Sequence, residues 1–294
     1  MQKFIPRHRN LTRRKNLRWD KIGPQTMGET VAFLRAREIH CVTACAKFIS
    51  RDGSRDHVWA LREEDGTISA LILHSGRTLF PVFDRPTHIP VPYFMSRFLR
   101  KVPIHAIQGC GNDTHMLEYA LTGLGYTCVD RIDYDLMTLD RQPNSEALKA
   151  GPAGLILRKP EASDQDALYL LQAAYEKEEV LPRGAIFNPA ACRRSVERII
   201  ADEYILAAEL EGRIVGKINT NALSFSRYQI GGVYVHPHYR GRGIAVSMGA
   251  AFARFLIAEG WGLSLFVKKR NPAARAVYGR IGFAVASDYR ISYY

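Results

Sequence analysis

Apolar residues in the second half of the chain recur with two periods, and the switches between them mark the elements. Residues 155–159 form a short apolar run suited to a strand. Ser163 or Asp164 can then cap a helix by accepting hydrogen bonds from its free amides, and Leu168, Leu171, Ala174 and Tyr175 follow at helical spacing to about Lys177. A second helix is expected over 189–201. Apolar strands at 204–210 and 214–222 meet at Glu211-Gly212, a tight hairpin signal, and a third strand covers 229–235. A helix from about Ala245 to Glu259 is closed by Gly260, and a strand follows at 263–267. Asn271 caps and Pro272 opens a further helix, which reaches about Arg280 and is stopped by Gly282; a last strand lies near 289–294. Strand, two helices, three strands, helix, strand, helix, strand is the order of an α+β domain on one mixed sheet.

The first half shows the same rhythm more weakly. It predicts a helix over 26–48, an apolar hairpin over 57–73 turning at Asp65-Gly66, a helix near 93–100 and a strand over 105–108. Between the halves, residues 141–154 hold Pro143, Asn144, Gly151, Pro152 and Gly154, which interrupt the apolar periodicity on both sides. The expected division is a basic arm at 1–25, a first domain at 26–140, a linker at 141–153 and a second domain at 154–294. A length of 294 residues suits two separate cores.

Composition narrows the class. With 47% hydrophobic and 24% charged residues and no long apolar run, the chain reads as a globular protein that does not cross a membrane. The start of the chain lacks the apolar stretch of a secretory signal, so a cytoplasmic location is expected. The net charge is +12, and seven basic residues with no acid lie in 1–18, where they form an arm that can meet nucleic acid. Such arms are more commonly solvated termini, and no other feature points to nucleic acid. Cys41, Cys45, Cys110, Cys128 and Cys192 are odd in number and lack zinc spacing, so they read as reduced, buried thiols and no metal is expected. Cys41 and Cys45, one helical turn apart, read as small core residues rather than a redox pair.

The chemistry concentrates where a strand runs into Arg240, Gly241, Arg242, Gly243, Ile244 and Ala245 and then into a helix. Unpaired amides and the positive end of the helix dipole converge there, the glycines let backbone approach an anion, and the arginines add charge: a phosphate site. The spacing is neither that of a Walker loop nor that of a dinucleotide fingerprint.

Arg240-x-x-Gly243-x-Ala245, preceded by 233–237, resembles the pyrophosphate-binding signature of the GNAT superfamily of N-acetyltransferases. Asn271, Ala274, Tyr278 and Gly282-Phe283 resemble its second signature, in the right order. The resemblance covers about 155–294. It implies acetyl-CoA as cosubstrate, with backbone at Val233, Tyr234 and Val235 along the pantetheine, the amides of 240–245 on the pyrophosphate, and a splay between the strand at 233–235 and that at 263–267. It implies Tyr278 as the acid that protonates the leaving thiolate. The strand over 228–235 has no carboxylate where many relatives place a glutamate base; Glu178 and Glu179 are the candidates, ahead of His236 and His238 on the cofactor side. Lys268, Lys269 and Arg270 read as a solvated strand edge.

In the first half, Asn112 precedes Tyr119 by the separation of Asn271 and Tyr278, and Gly125-Tyr126 stands where the second half has Gly282-Phe283, as an internal duplication would leave them. The phosphate loop is missing: residues 81–92 hold four prolines and no glycine, and proline offers no amide proton. The expectation is a tandem pair of GNAT-like domains, each a mixed, mostly antiparallel sheet flanked by helices, with a degenerate first member. The expected function is direct transfer of an acetyl group from acetyl-CoA to the primary amine of a small-molecule or peptide acceptor. The alternative is a CoA-binding sensor that turns nothing over. Neither acceptor identity nor oligomeric state follows from the residues.

Overall fold

A computed structural model describes residues 18–50, 56–84, 99–100 and 102–294. The first half contains β1 (Arg18–Lys21), α1 (Met27–Arg35), α2 (Val42–Ile49), β2 (His57–Arg62), β3 (Ile68–Ser75), β4 (Thr78–Phe83), β5 (Ala106–Cys110), α3 (Gly111–Gly123) and β6 (Asp130–Leu139). After a short α4 (Ser145–Leu148) come β7 (Ile156–Arg158), α5 (Gln165–Tyr175), a π-helical turn (Glu176–Val180), α6 (Pro189–Asp202), β8 (Ile205–Leu210), β9 (Arg213–Leu223) and β10 (Arg227–Val235). The chain ends with α7 (Ile244–Ala258), β11 (Gly262–Lys268), α8 (Pro272–Ile281) and β12 (Ala284–Tyr293). Among the described residues no helix is long and apolar enough to cross a membrane.

Among the described residues, twelve strands form one sheet in the order β1-β2-β3-β4-β5-β12-β6-β11-β10-β9-β8-β7. The last strand of each half lies in the territory of the other: β6 pairs with β11, and β12 pairs with β5. The two exchanged strands pair with each other from Ala284↔Thr138 to Tyr293↔Asp130. Each half thereby covers an edge that the other would leave open, and unpaired edges are sites of aggregation.

The second half sandwiches its sheet between two helix layers. Val215 and Ile218 of β9 pack with α7, whereas Ile214 packs with Leu168 of α5 and Val196 of α6, so successive residues face opposite layers. Helix α7 is apolar nearly all round because it is buried nearly all round, with Met248, Ala250, Ala253 and Leu256 fully enclosed.

Three expectations change. The helix expected over 26–48 breaks at a 3-10 turn, Glu38–His40. That turn presents the Glu38 carboxylate to the β9–β10 hairpin, where it accepts from Ser226 N and Ser226 Oγ at 2.7 Å each and from Ser224 Oγ. A contact between the halves overrides local propensity. The arm expected at 1–25 is part of the fold from Arg18 onward, since β1 pairs with β2 and Trp19 is buried; residues 1–17 lie outside those described. The linker expected at 141–153 contains α4, whose Ala147 is buried, and Leu148 O accepts from Ser247 Oγ of α7. The helix expected near 93–100 falls largely outside the described residues, as do residues 85–92 of the proline-rich segment. Of the five cysteines, Cys41, Cys45 and Cys192 are buried, but Cys110 and Cys128 are only half-buried.

Candidate active site

Strands β10 and β11 run parallel and paired from Arg227↔Gly262 to Ile230↔Leu265, and then diverge. The cause lies on the other side of β10. Its register with β9 steps from Gly231↔Asn219 to Tyr234↔Lys217, so Gly232 and Val233 have no Cα partner in either neighbouring strand. This bulge bends β10 away from β11 and opens a gap through the sheet. Gly232, at φ 59°, could not carry a side chain there, because a Cβ would overlap the Asn219 carboxamide.

At the C-terminal end of β10 the chain turns through a 3-10 turn, Pro237–Tyr239, into the glycine loop. Gly243 is the N-cap of α7 at φ 78°, and a Cβ on it would overlap the carbonyl of Ala150, from the segment that joins the two halves. Gly241 also has positive φ, 76°, but has open space around it. The result is a fifteen-residue helix whose first amides lack intrahelical partners and whose entry is tight backbone. Arg240 donates through Nε to Val235 O at 3.0 Å and lies over the Tyr234 ring; Arg242 is exposed, 5.9 Å from the centroid of the Tyr239 ring.

The other lip of the gap is the start of α8. Asn271 caps it, its Oδ1 accepting from Ala274 N at 3.0 Å, and Pro272 follows at the position where a missing N–H costs nothing. Tyr278 is two turns further on, buried against Phe283 and the α7-side core, and its hydroxyl makes no hydrogen bond among the described residues. Burial raises its pKa well above the ordinary tyrosine value, with Tyr175 and the Glu179 charge adding to the rise. Tyr175 and Glu179 belong to the opposite, α5-side layer.

The π-helical turn spans the mouth of this gap. Glu178 takes Arg240 bidentately, at 2.9 and 2.8 Å, and accepts from Tyr234 Oη at 3.0 Å. The Arg240 guanidinium holds its pKa below the ordinary glutamate value. Glu179 grips the other lip, 3.1 Å from Lys268 Nζ and accepting from Asn271 Nδ2 at 3.2 Å. Lys268 is therefore buried and paired rather than a solvated edge. His236 and His238 stack edge-to-face with each other beside the loop, away from the gap.

Sequence motifs alone pass over the layer beneath the bulge. Lys217 is 1% exposed, and its Nζ donates to Gly232 O and Asn219 Oδ1 at 2.9 Å each. Burial raises the Tyr175 pKa, and the Gly232 backbone opposes that rise. Two signals in the sequence point there: a glycine pair inside an apolar strand, which marks a bulge, and a lysine amid the apolar run of β9. The first half also contributes to this face, where Thr43 Oγ1 of α2 donates to Gln229 Oε1 at 2.6 Å.

Residues 165–283 match the model of the acetyltransferase (GNAT) family. No curated protein matches the sequence. Among solved structures, a Drosophila protein aligns over 95% of this chain and 99% of its own with TM-score 0.61 at 12% identity. A tandem GNAT protein from the clavulanic acid biosynthesis pathway aligns over 94% and 97%, with TM-score 0.60 at 14% identity. A GCN5-related N-acetyltransferase from Sphaerobacter thermophilus aligns over 94% of each chain, with TM-score 0.59 at 18% identity. These likenesses extend over both halves, so the first half shares the fold of the second.

Proposed function

We propose, from the premise that residues 165–283 are a GNAT acetyltransferase domain, that this acyltransferase moves an acetyl group from acetyl-CoA to a primary amine. One observation carries the reading. Glu179, from the α5-side layer, accepts at 3.2 Å from Asn271, the cap of the helix that carries Tyr278, where β10 and β11 part beside the glycine loop.

The bound thioester supplies an activated acyl group and a thiol leaving group. In the proposal, amides of Gly241 to Ala245 hold the pyrophosphate with Arg240 and Arg242, and the backbone of Val233, Tyr234 and Val235 aligns the pantetheine arm. Asn271 and Ala274 fix the start of α8 and so aim Tyr278. Its phenol, kept neutral by burial, gives its proton to the departing sulfur. Of the two candidate bases, Glu178 has both oxygens taken by Arg240, whereas Glu179 has one oxygen beside Lys268 Nζ and the other on Asn271 Nδ2, next to the start of the helix that carries Tyr278, and is the one we favour. A small-molecule or peptide amine approaches from the α5 side, over the floor that the first half helps to build, and the reaction belongs to the cytoplasm.

The test is release of free thiol from acetyl-CoA across a panel of amines. Turnover with at least one amine is expected, lost by about 100-fold or more in Tyr278→Phe. If CoA stabilises the fold but no amine releases thiol, the protein is a sensor and the proposal fails.

A further inference from the structure

We infer that Lys217 is a positioning residue for acyl transfer: its buried ammonium fixes the Gly232–Val233 peptide so that the Val233 N–H faces the gap between β10 and β11. The inference rests on the acyl-CoA reading of that gap.

A fully enclosed lysine is costly, since its charge gives up water, and a methionine would fill the same space without that cost. Burial pushes its pKa down to about 7. The groups facing it are Glu176 of the π-helical turn, Cys192 of α6 and the Tyr175 ring, whose centroid lies 5.4 Å from Nζ. None of them makes a hydrogen bond with Nζ. Its two hydrogen bonds go to Asn219 Oδ1 and to the carbonyl of the bulge.

That carbonyl decides where the next amide points. No peptide bond here is cis, so the C=O of Gly232 and the N–H of Val233 lie on opposite sides of one plane. Lys217 is on β9, and β9 and β11 flank β10 on opposite sides. Lys217 Nζ lies in the α5-side layer with Tyr175 and Cys192, so a Gly232 carbonyl drawn to it turns the Val233 N–H away from that layer and away from β9, at the level beyond Ile230↔Leu265 where β11 no longer pairs. In its protonated form Lys217 also polarises the peptide and strengthens its N–H as a donor. The ladder leaves Gly232 and Val233 without partners, so this peptide is held by a side chain rather than by a neighbouring strand. Lys217 touches no reacting atom; it acts through the peptide.

Steady-state kinetics of Lys217→Met and Lys217→Gln, each checked by thermal unfolding with and without CoA, test this. Lys217→Met is expected to lower kcat by about 30-fold or more while KM for acetyl-CoA and the CoA-induced rise in Tm change little. Lys217→Gln, whose amide can still donate to Gly232 O, is expected to recover some of that loss. A Lys217→Met enzyme within about threefold of wild-type kcat overturns the inference, as does a loss confined to KM. A wild type that releases no thiol defeats the acyl-transfer reading instead. Should Lys217→Met not fold, a crystal structure of the wild type with a ketone analogue of acetyl-CoA decides without turnover. The Val233 N–H on the ketone oxygen with Lys217 still on Gly232 O supports the inference; a ketone oxygen bound elsewhere, or a Gly232 carbonyl turned into the gap, overturns it.

Discussion

In each half of this protein a pair of parallel strands diverges, but among the described residues the gap is flanked by a bulge and a glycine loop in the second half alone. There a bulge held by Lys217 bends β10 away, glycines carry the chain into α7, and Asn271 at the other lip caps the helix that carries Tyr278. In the first half β4 pairs with β5 only at Thr78↔Ala106 and Leu79↔Ile107, yet β4 stays in unbroken register with β3 up to Phe83. The opening is filled from within. The Asp113 carboxylate, from the first turn of α3, accepts from Phe83 N, and a Cβ on Gly109 would come to 3.1 Å of the Pro81 carbonyl. The apparent match of Tyr119 to Tyr278 fails, since Tyr119 is 83% exposed on the outer face of α3. Helix α3 runs thirteen residues against ten for α8, so the shared spacing from Asn112 no longer corresponds to the same place on the helix; counted back from Gly125, the counterpart of Tyr278 is the buried Leu121. Splayed strands come with the fold, whereas a cofactor site needs the bulge, the loop and the phenol in addition.

The sharpest break in that comparison is at the helix entries. Gly243→Val should abolish CoA-induced thermal stabilisation, because a side chain at φ 78° also collides with the Ala150 carbonyl. Gly125→Ala, at a φ of 88° with nothing around it, should cost about 1–2 kcal/mol of stability and leave CoA binding intact. Next, titration calorimetry should return one CoA per chain; two would restore the first half as a binding unit. A smaller effect concerns the clasp across the mouth. The Glu178–Arg240 pair is more than a third exposed on both sides and so contributes little to stability, but it engages a guanidinium that the proposal assigns to phosphate. Glu178→Gln should therefore tighten CoA binding by about threefold to tenfold, measured by calorimetry.

The smallest effect is in the plugged gap. Burial raises the Asp113 pKa to about 7, against the pull of Phe83 N–H and Arg37. With the folded value above the unfolded one, the stability linked to this group is fully present below about pH 4 and is lost as pH rises through 7. Asp113→Asn, which keeps an oxygen for Phe83 N–H, should match the wild type near pH 4 and exceed it increasingly as pH rises toward 8, measured by denaturant unfolding.

Much of this is legible along the chain. Helices and strands of the second half appear within a residue or two of where periodicity puts them, apart from a final strand that begins at Ala284. Asn271-Pro272 and Gly282 bound their helix because each has a local physical role: a side-chain acceptor, a missing donor, a left-handed backbone. The break in the long helix of the first half escapes periodicity because Glu38 answers to Ser224 and Ser226, nearly two hundred positions away, and no window of residues contains that contact.

The sequence alone determined which segment has the glycines and amides that a phosphate cradle would need and which lacks them, since backbone freedom and amide supply are properties of individual residues. Only the tertiary structure decided that β6 and β12 trade places, that Glu178 and Glu179 grip opposite lips of one gap, and that a lysine in an apolar strand stands behind the bulge. Pairing, burial and charge compensation depend on which residues meet in space, and the folded sheet sets those meetings.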